Sequence, residues 1–167
     1  MNLDLETRKR IVQALTEQLE AAIEDVLASD YLKNSYTRRV ISKKEIARST
    51  FEFHLERPSE YFLICAVTFE YETFKDGSSS FFVSIVEDKF DGMLDVVRDY
   101  IDDIFMDYGL NLLPILGKAT SLKETFCLED HFTEEQENEF IKQIIVKHKI
   151  PLSKNDADSA DLLASLI

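Results

Sequence analysis

The sequence predicts an α+β fold: a long N-terminal helix, a three-stranded antiparallel β-meander, then an acidic amphipathic helix and a C-terminal helix packed on the sheet. Apolar residues recur at helical spacing before residue 28 and again after residue 92, whereas residues 50 to 87 alternate apolar with polar or run rich in aromatic and β-branched types. Strands gathered in one block, with helices outside it, point to α+β rather than to βαβ units. A chain of 167 residues with twelve Phe and 45% apolar content can close one core without disulfide or metal staples. That core is expected to be a single domain over residues 1–150, followed by a polar tail over 151–167 that ends in an apolar segment.

Residues 4 to 28 read as a helix. Leu5, Val12, Leu19 and Val26 are spaced by seven, with Leu15 and Ala22 between them, and Glu6, Gln13, Glu17, Glu20 and Glu24 fall on the other side. About 25 residues at 1.5 Å each make roughly 37 Å, longer than a small domain is wide. The heptad-like spacing therefore predicts a homodimer contact through Val12, Leu15 and Leu19; the plainer reading is a core helix.

The stretch from Ser29 to Ser49 is basic. Lys33, Arg38, Arg39, Lys43, Lys44 and Arg48 are interleaved with Tyr31 and Tyr36, the composition of a nucleic-acid strip. Its setting argues otherwise. Residues 1–60 hold 10 basic and 11 acidic side chains, residues 61–167 hold 9 and 21, and the chain totals −13. Such a field repels nucleic acid and anionic membrane and steers basic partners toward itself. Within the basic stretch, Ser42 to Ala47 predicts the opening of a short helix with a Ser cap.

Strands are expected over 50–56, 62–73 and 79–87. Phe51, Phe53 and Leu55 should share a face with Leu63, Cys65, Val67 and Phe69, because a one-residue slip would turn that face to water. A three-residue loop at Lys75-Asp76-Gly77, with Gly at positive φ, pairs Phe69 with Val83 and Val67 with Ile85. The opposite face carries Glu52, His54, Glu56, Thr68, Glu70 and Glu72, with Phe62, Ile64, Phe82 and Val86 as an apolar patch that a helix layer or a partner must cover.

The acidic helix is expected over 92–108. Leu94, Val97, Tyr100, Ile101, Ile104, Phe105 and Tyr108 fall on one side, and Asp91, Asp95, Asp99, Asp102, Asp103 and Asp107 on the other, with Arg98 the counter-charge among them. Four like-charge pairs at i,i+4, and two aspartates near the negative end of the dipole, together cost about 2 kcal/mol at low salt. A local rule broken at that cost marks the six aspartates as candidate partner-binding residues. Gly109 is placed as the C′ residue. A last helix over 134–148 is capped by Thr133 with Gln136 three residues on, and turns Phe140, Ile144 and Ile145 to the core. Leu162, Leu163, Leu166 and Ile167 close the tail, either docked on the core or offered to another protein's groove.

Motifs for chemistry are sparse. Cys127 and His131, four apart, suggest a Cys/His pair of the kind small hydrolases use, set against a buried thiol and a surface His. His54 between Glu52 and Glu56 could sense pH or sit in a solvated charge set. The aspartates lack the glycine turn and carbonyl ligands of a Ca²⁺ loop, so no metal or cofactor is expected. Two cysteines without a framework spacing, a charged N-terminus and the lack of a roughly 20-residue apolar run predict a cytoplasmic protein with reduced thiols.

The order of elements is similar in outline to secretion chaperones and toxin-immunity proteins, a likeness of architecture that locates no site. The function expected is a non-enzymatic acidic binding protein, a chaperone, inhibitor or immunity-type adaptor, that engages a basic or apolar segment of another protein. The alternatives are a nucleic-acid mimic occupying a DNA- or RNA-binding groove and a small Cys/His hydrolase.

Overall fold

The computed structural model describes residues 3–27, 37–45, 47–57, 60–74, 79–87, 93–116 and 123–152. Helix α1 (Leu5–Leu27) precedes strands β1 (Thr37–Glu45), β2 (Arg48–Arg57), β3 (Glu60–Thr73) and β4 (Ser79–Glu87). After them come α2 (Met93–Asp107), a short α3 (Leu113–Leu116), β5 (Lys123–Cys127), a 3-10 turn (Leu128–Asp130) and α4 (Glu134–Lys147). The α+β architecture is the one expected, but the sheet has five strands in the order β1-β2-β3-β4-β5, all neighbours antiparallel. Both added strands lie at its edges.

At one edge, Ser42 to Ala47 is not a helix opening. It is the end of β1 and its turn into β2: Glu45 pairs with Arg48, and Ala47 takes φ +52°. The carbonyl of Ala47 accepts the Tyr71 N–H at 2.9 Å, which ties the turn to β3. Arg38, Arg39, Lys43 and Lys44 therefore lie along an edge strand, where repulsive cations discourage pairing with another chain. Lys33, Tyr31 and Tyr36 lie outside the described residues.

The β3–β4 register is the expected one, with Phe69 opposite Val83 and Val67 opposite Ile85. Phe51 and Phe53 face Val67 and Cys65 as predicted, but a shift between Phe53 and His54 sets Leu55 opposite Phe62 instead of in line with Leu63. A bulge of this kind adds one residue to one strand and changes the parity beyond it. The Lys75-Asp76-Gly77 loop lies outside the described residues.

Helices cover the odd-numbered face. Val67, Phe69, Tyr71, Phe81, Val83 and Ile85 are buried there, against Ile101, Ile104, Phe105 and Tyr108 of α2 and Phe140, Ile141, Ile144 and Ile145 of α4. Aromatic rings knit the layers: Phe105 stacks on Phe140 at 4.9 Å, and Phe81 meets the same ring edge-on at 5.6 Å. Ala66, Thr68, Phe82 and Ser84, on the other face, are half-buried. Hydroxyl pairs Thr50–Thr68 and Ser84–Thr125 cross that face at 2.9 and 3.1 Å. Of the expected apolar patch, Phe62, Ile64 and Val86 have side chains outside the described ones.

Helix α1 starts at Leu5 because the Asp4 carboxylate accepts the Thr7 N–H at 2.9 Å, an N-cap contact. Its apolar stripe is spent inside the chain. Val12, Leu15 and Leu19 are each 0% exposed, packed with Ile11 in the common core, and this corrects the dimer contact expected of them: these side chains have no surface left to offer a second copy. The heptad spacing matched a sheet and two helices rather than another α1.

Candidate functional site

The acidic helix forms as α2, and its aspartates divide into two kinds. Asp99, Asp103 and Asp107 are exposed. At about 100° per residue they form one stripe, with Met106, 52% exposed, beside it. None of the three forms an ion pair with a described side chain; the side chain of Arg98, the counter-charge expected among them, lies outside those described, and the last turn of α2 has no basic residue to answer the helix dipole. Asp102, expected on the same open face, is only 6% exposed. Its Oδ1 accepts the N–H of buried Leu112 at 3.0 Å, so it holds the chain after α2 against the helix flank. Asp95 lies within α2 with its side chain outside those described, and Asp91 lies outside the described residues.

Gly109, as expected, ends the helix at φ +85°. Its N–H and that of Leu110 reach the carbonyls of Met106 and Phe105, both at 3.0 Å, a Schellman closure. The chain then doubles back past Asp102 into α3. There a groove of about 410 Å³ opens between Asn111, Pro114 and Ile115 on one side and His131 and Phe132 on the other.

Cys127 and His131 are not brought together. Cys127 is buried on the face of its register partner Phe82, and burial pushes its thiol up, with a backbone hydrogen bond at Glu129 partly opposing. The His131 ring lies edge-on to Phe126 at 6.1 Å, and Phe126, next to Cys127 on the strand, points to the other face. A thiol held neutral is a poor nucleophile. His54 pairs in register with Arg39 and Leu63; its side chain lies outside those described.

Two polar clusters were not anticipated. Glu137, read as a helix-start acid, is half-buried and pushed up to about 7 by burial, then by Glu129. Glu129 in turn accepts from the Ser80 hydroxyl at 3.0 Å. The signal was present: Glu137 is three residues before Phe140 and so shares the core-facing side of α4. At the other end, the Tyr108 hydroxyl donates to Gln18 Oε1 at 2.5 Å and meets His148 Nε2 at 2.8 Å. Lys147 Nζ sits 5.1 Å from the centre of the Tyr108 ring. Burial raises the phenol to about 12, with Asp107 adding to the effect, and burial followed by Lys147 lowers His148. This cluster fastens α1, α2 and α4 to one another.

Among the described residues no group of three or more His, Cys, Asp or Glu is arranged to hold a metal ion, and no helix is long and apolar enough to cross a membrane. Set against known protein families, curated proteins and solved structures, the chain matches none of them.

Proposed function

We propose that this protein is a non-enzymatic, acidic binding protein, acting as a chaperone, inhibitor or adaptor, whose α2 stripe engages a basic segment of another protein. The observation that carries the reading is the stripe itself: Asp99, Asp103 and Asp107 are exposed at i,i+4 spacing and ion-pair with none of the described side chains. Successive carboxylates rise about 6 Å along the helix, so the repulsion is built in and a cationic partner relieves it. Such charges raise association rates more than they deepen affinity. The same net charge disfavours nucleic acid as the partner.

The test is a triple variant, Asp99→Asn, Asp103→Asn and Asp107→Asn, titrated with a Lys- and Arg-rich peptide. At low salt its on-rate should fall roughly tenfold below that of the parent, and the difference should close as salt rises, since exposed charges are screened over about 8 Å near physiological ionic strength. The variant alone should be as stable as the parent or slightly more so. An unchanged on-rate at low salt would reduce the stripe to a solubility surface.

A further inference from the structure

The chain itself holds a segment that fits the groove between α3 and the start of α4. Pro114, Ile115 and Phe132 make that groove mostly apolar, with the Asn111 amide and the His131 ring as its polar groups. Its volume of about 410 Å³ falls within the roughly 300–1,000 Å³ that ligand pockets occupy. Asn111 and Pro114 are exposed, and Ile115 and Phe132 half-buried, so the lining is open to an occupant from solvent. The even-numbered face of the sheet, by contrast, is crossed by the Thr50–Thr68 and Ser84–Thr125 hydroxyl pairs, a poorer match for apolar side chains.

Residues 160–167, Ala-Asp-Leu-Leu-Ala-Ser-Leu-Ile, follow the polar run 153–159; both lie outside the described residues. At about 100° per residue Leu162, Leu163, Leu166 and Ile167 fall within an arc of about 140°, and Asp161, Ala164 and Ser165 take the rest. Two helical turns do not hold in water by themselves, and four apolar side chains on one side call for a surface to cover them. The chain is long enough to reach one. Leu152 is half-buried against the core past the end of α4, and the groove lies at the other end of that helix, beside His131 and Phe132. The 14 residues of α4 make about 21 Å, whereas the stretch from Leu152 to Leu162 spans up to about 33 Å when extended. A link of that length holds the segment at an effective concentration of about 1 mM, so a groove affinity of roughly 0.1 mM keeps it about nine-tenths docked.

We propose that residues 162–167 of this same chain pack their apolar side chains into the groove beside Pro114, closing it to other ligands in the free protein. The inference is independent of the reading of α2. A partner that takes the groove must displace the segment, and so meets an apparent affinity about tenfold weaker than that of an open groove.

The experiment is NMR on the isotope-labelled full-length chain. In the double variant Leu162→Asp and Leu166→Asp, the amide signals of Asn111, Ile115 and Phe132 should move relative to the parent. A synthetic peptide of residues 158–167 should then bind this variant and return those signals toward their parent positions, and it should bind the parent about tenfold more weakly. Pro114→Asp, at an exposed position of the groove, is the reciprocal variant: it should move the amide signals of Leu163 and Ile167, far away in sequence. Groove signals unchanged in the double variant, or equal affinity of the peptide for parent and variant, overturn the proposal. So does a peptide that shifts Thr68 and Ser84 on the sheet instead. Groove signals of the parent that change on dilution would show that a second copy supplies the segment, and overturn the arrangement within one chain.

Discussion

Helices α2 and α4 stack on the same core through Phe105 and Phe140, and both are rich in acid, yet they place it oppositely. In α4 the acids Glu134, Glu135 and Glu137 occupy the first turn, Thr133 and Gln136 complete a reciprocal capping box, and Lys147 stands in the last turn. Each choice suits a dipole that is positive at its start and negative at its end. In α2 the exposed acids run on to Asp103 and Asp107, with no basic residue in the last turn. The acids of α4 are accounted for by helix stability and need no partner. Those of α2 work against it, which is why the proposed function rests there and not on the larger number of glutamates elsewhere.

The largest expected effect comes from the one acid of α2 that breaks this contrast. Asp102 is buried and satisfies a buried N–H. Asp102→Ala leaves the Leu112 N–H without its acceptor and should destabilise by about 2 kcal/mol. Asp99→Ala, on the exposed stripe, should stay within about 0.5 kcal/mol of the parent. Equal denaturation midpoints for the two variants would erase the division between a structural aspartate and interaction aspartates.

That division was partly legible. Asp102 follows Ile101 and precedes Phe105 by three, so it borders the apolar stripe; what no pattern revealed was the N–H it would meet after the chain turned at Gly109. The β3–β4 pairing was legible down to register, because the alternation of the two strands and the length of sequence between them point to the same partners. β1 was not, since its sequence is basic and the residues between Glu45 and Arg48, Ile46 and Ala47 in the sequence, have none of the Asn-Gly chemistry that marks a two-residue hairpin. β5 has five residues, too few for alternation to stand out. The bulge at Phe53/His54 carries no Gly or Pro to announce it. Burial of α1 was misassigned for a deeper reason: a seven-residue apolar spacing says that a face is covered, and nothing in it says by what.

A second test takes the acid of α4 that fits its helix least well. Glu137 is pushed from the ordinary 4.5 up to about 7, by burial first and then by Glu129. A raised carboxyl favours its neutral form in the folded state, so its contribution is present below about pH 4.5 and is lost as pH rises through about 7. Full burial would make this worth roughly 3 kcal/mol; with the group half-exposed and screened, about 1 kcal/mol is the working figure. Glu137→Gln should therefore stabilise by about that much at pH 8 and by nearly nothing at pH 4. A gain independent of pH would mean that Glu137 is as well solvated as Glu134 and Glu135.

The smallest effect concerns how the two helices stop, where the contrast reverses. Both end in the same pair of bonds: Ile150 and Lys149 N–H groups reach the carbonyls of Ile145 and Val146 at 3.0 and 3.3 Å, matching Leu110 and Gly109 in α2. The left-handed residue is Gly109 in one and Lys149, at φ +50°, in the other. For an L side chain that conformation costs about 1–2 kcal/mol, whereas glycine's extra freedom in the unfolded chain costs about 0.4–1 kcal/mol. Lys149→Gly should thus stabilise by about 0.5–1 kcal/mol, slightly less if the lost cation had been helping the dipole. At Gly109 an added Cβ would meet nothing within 4 Å, so Gly109→Ala isolates the backbone cost and should destabilise by about 1 kcal/mol. Opposite signs for the two substitutions in thermal unfolding would show that the helix ends obey one conformational rule. If Lys149→Gly is instead destabilising, Lys149 must hold a contact worth more than the strain, and the end of α4 would join α2 as a place where stability has been set aside.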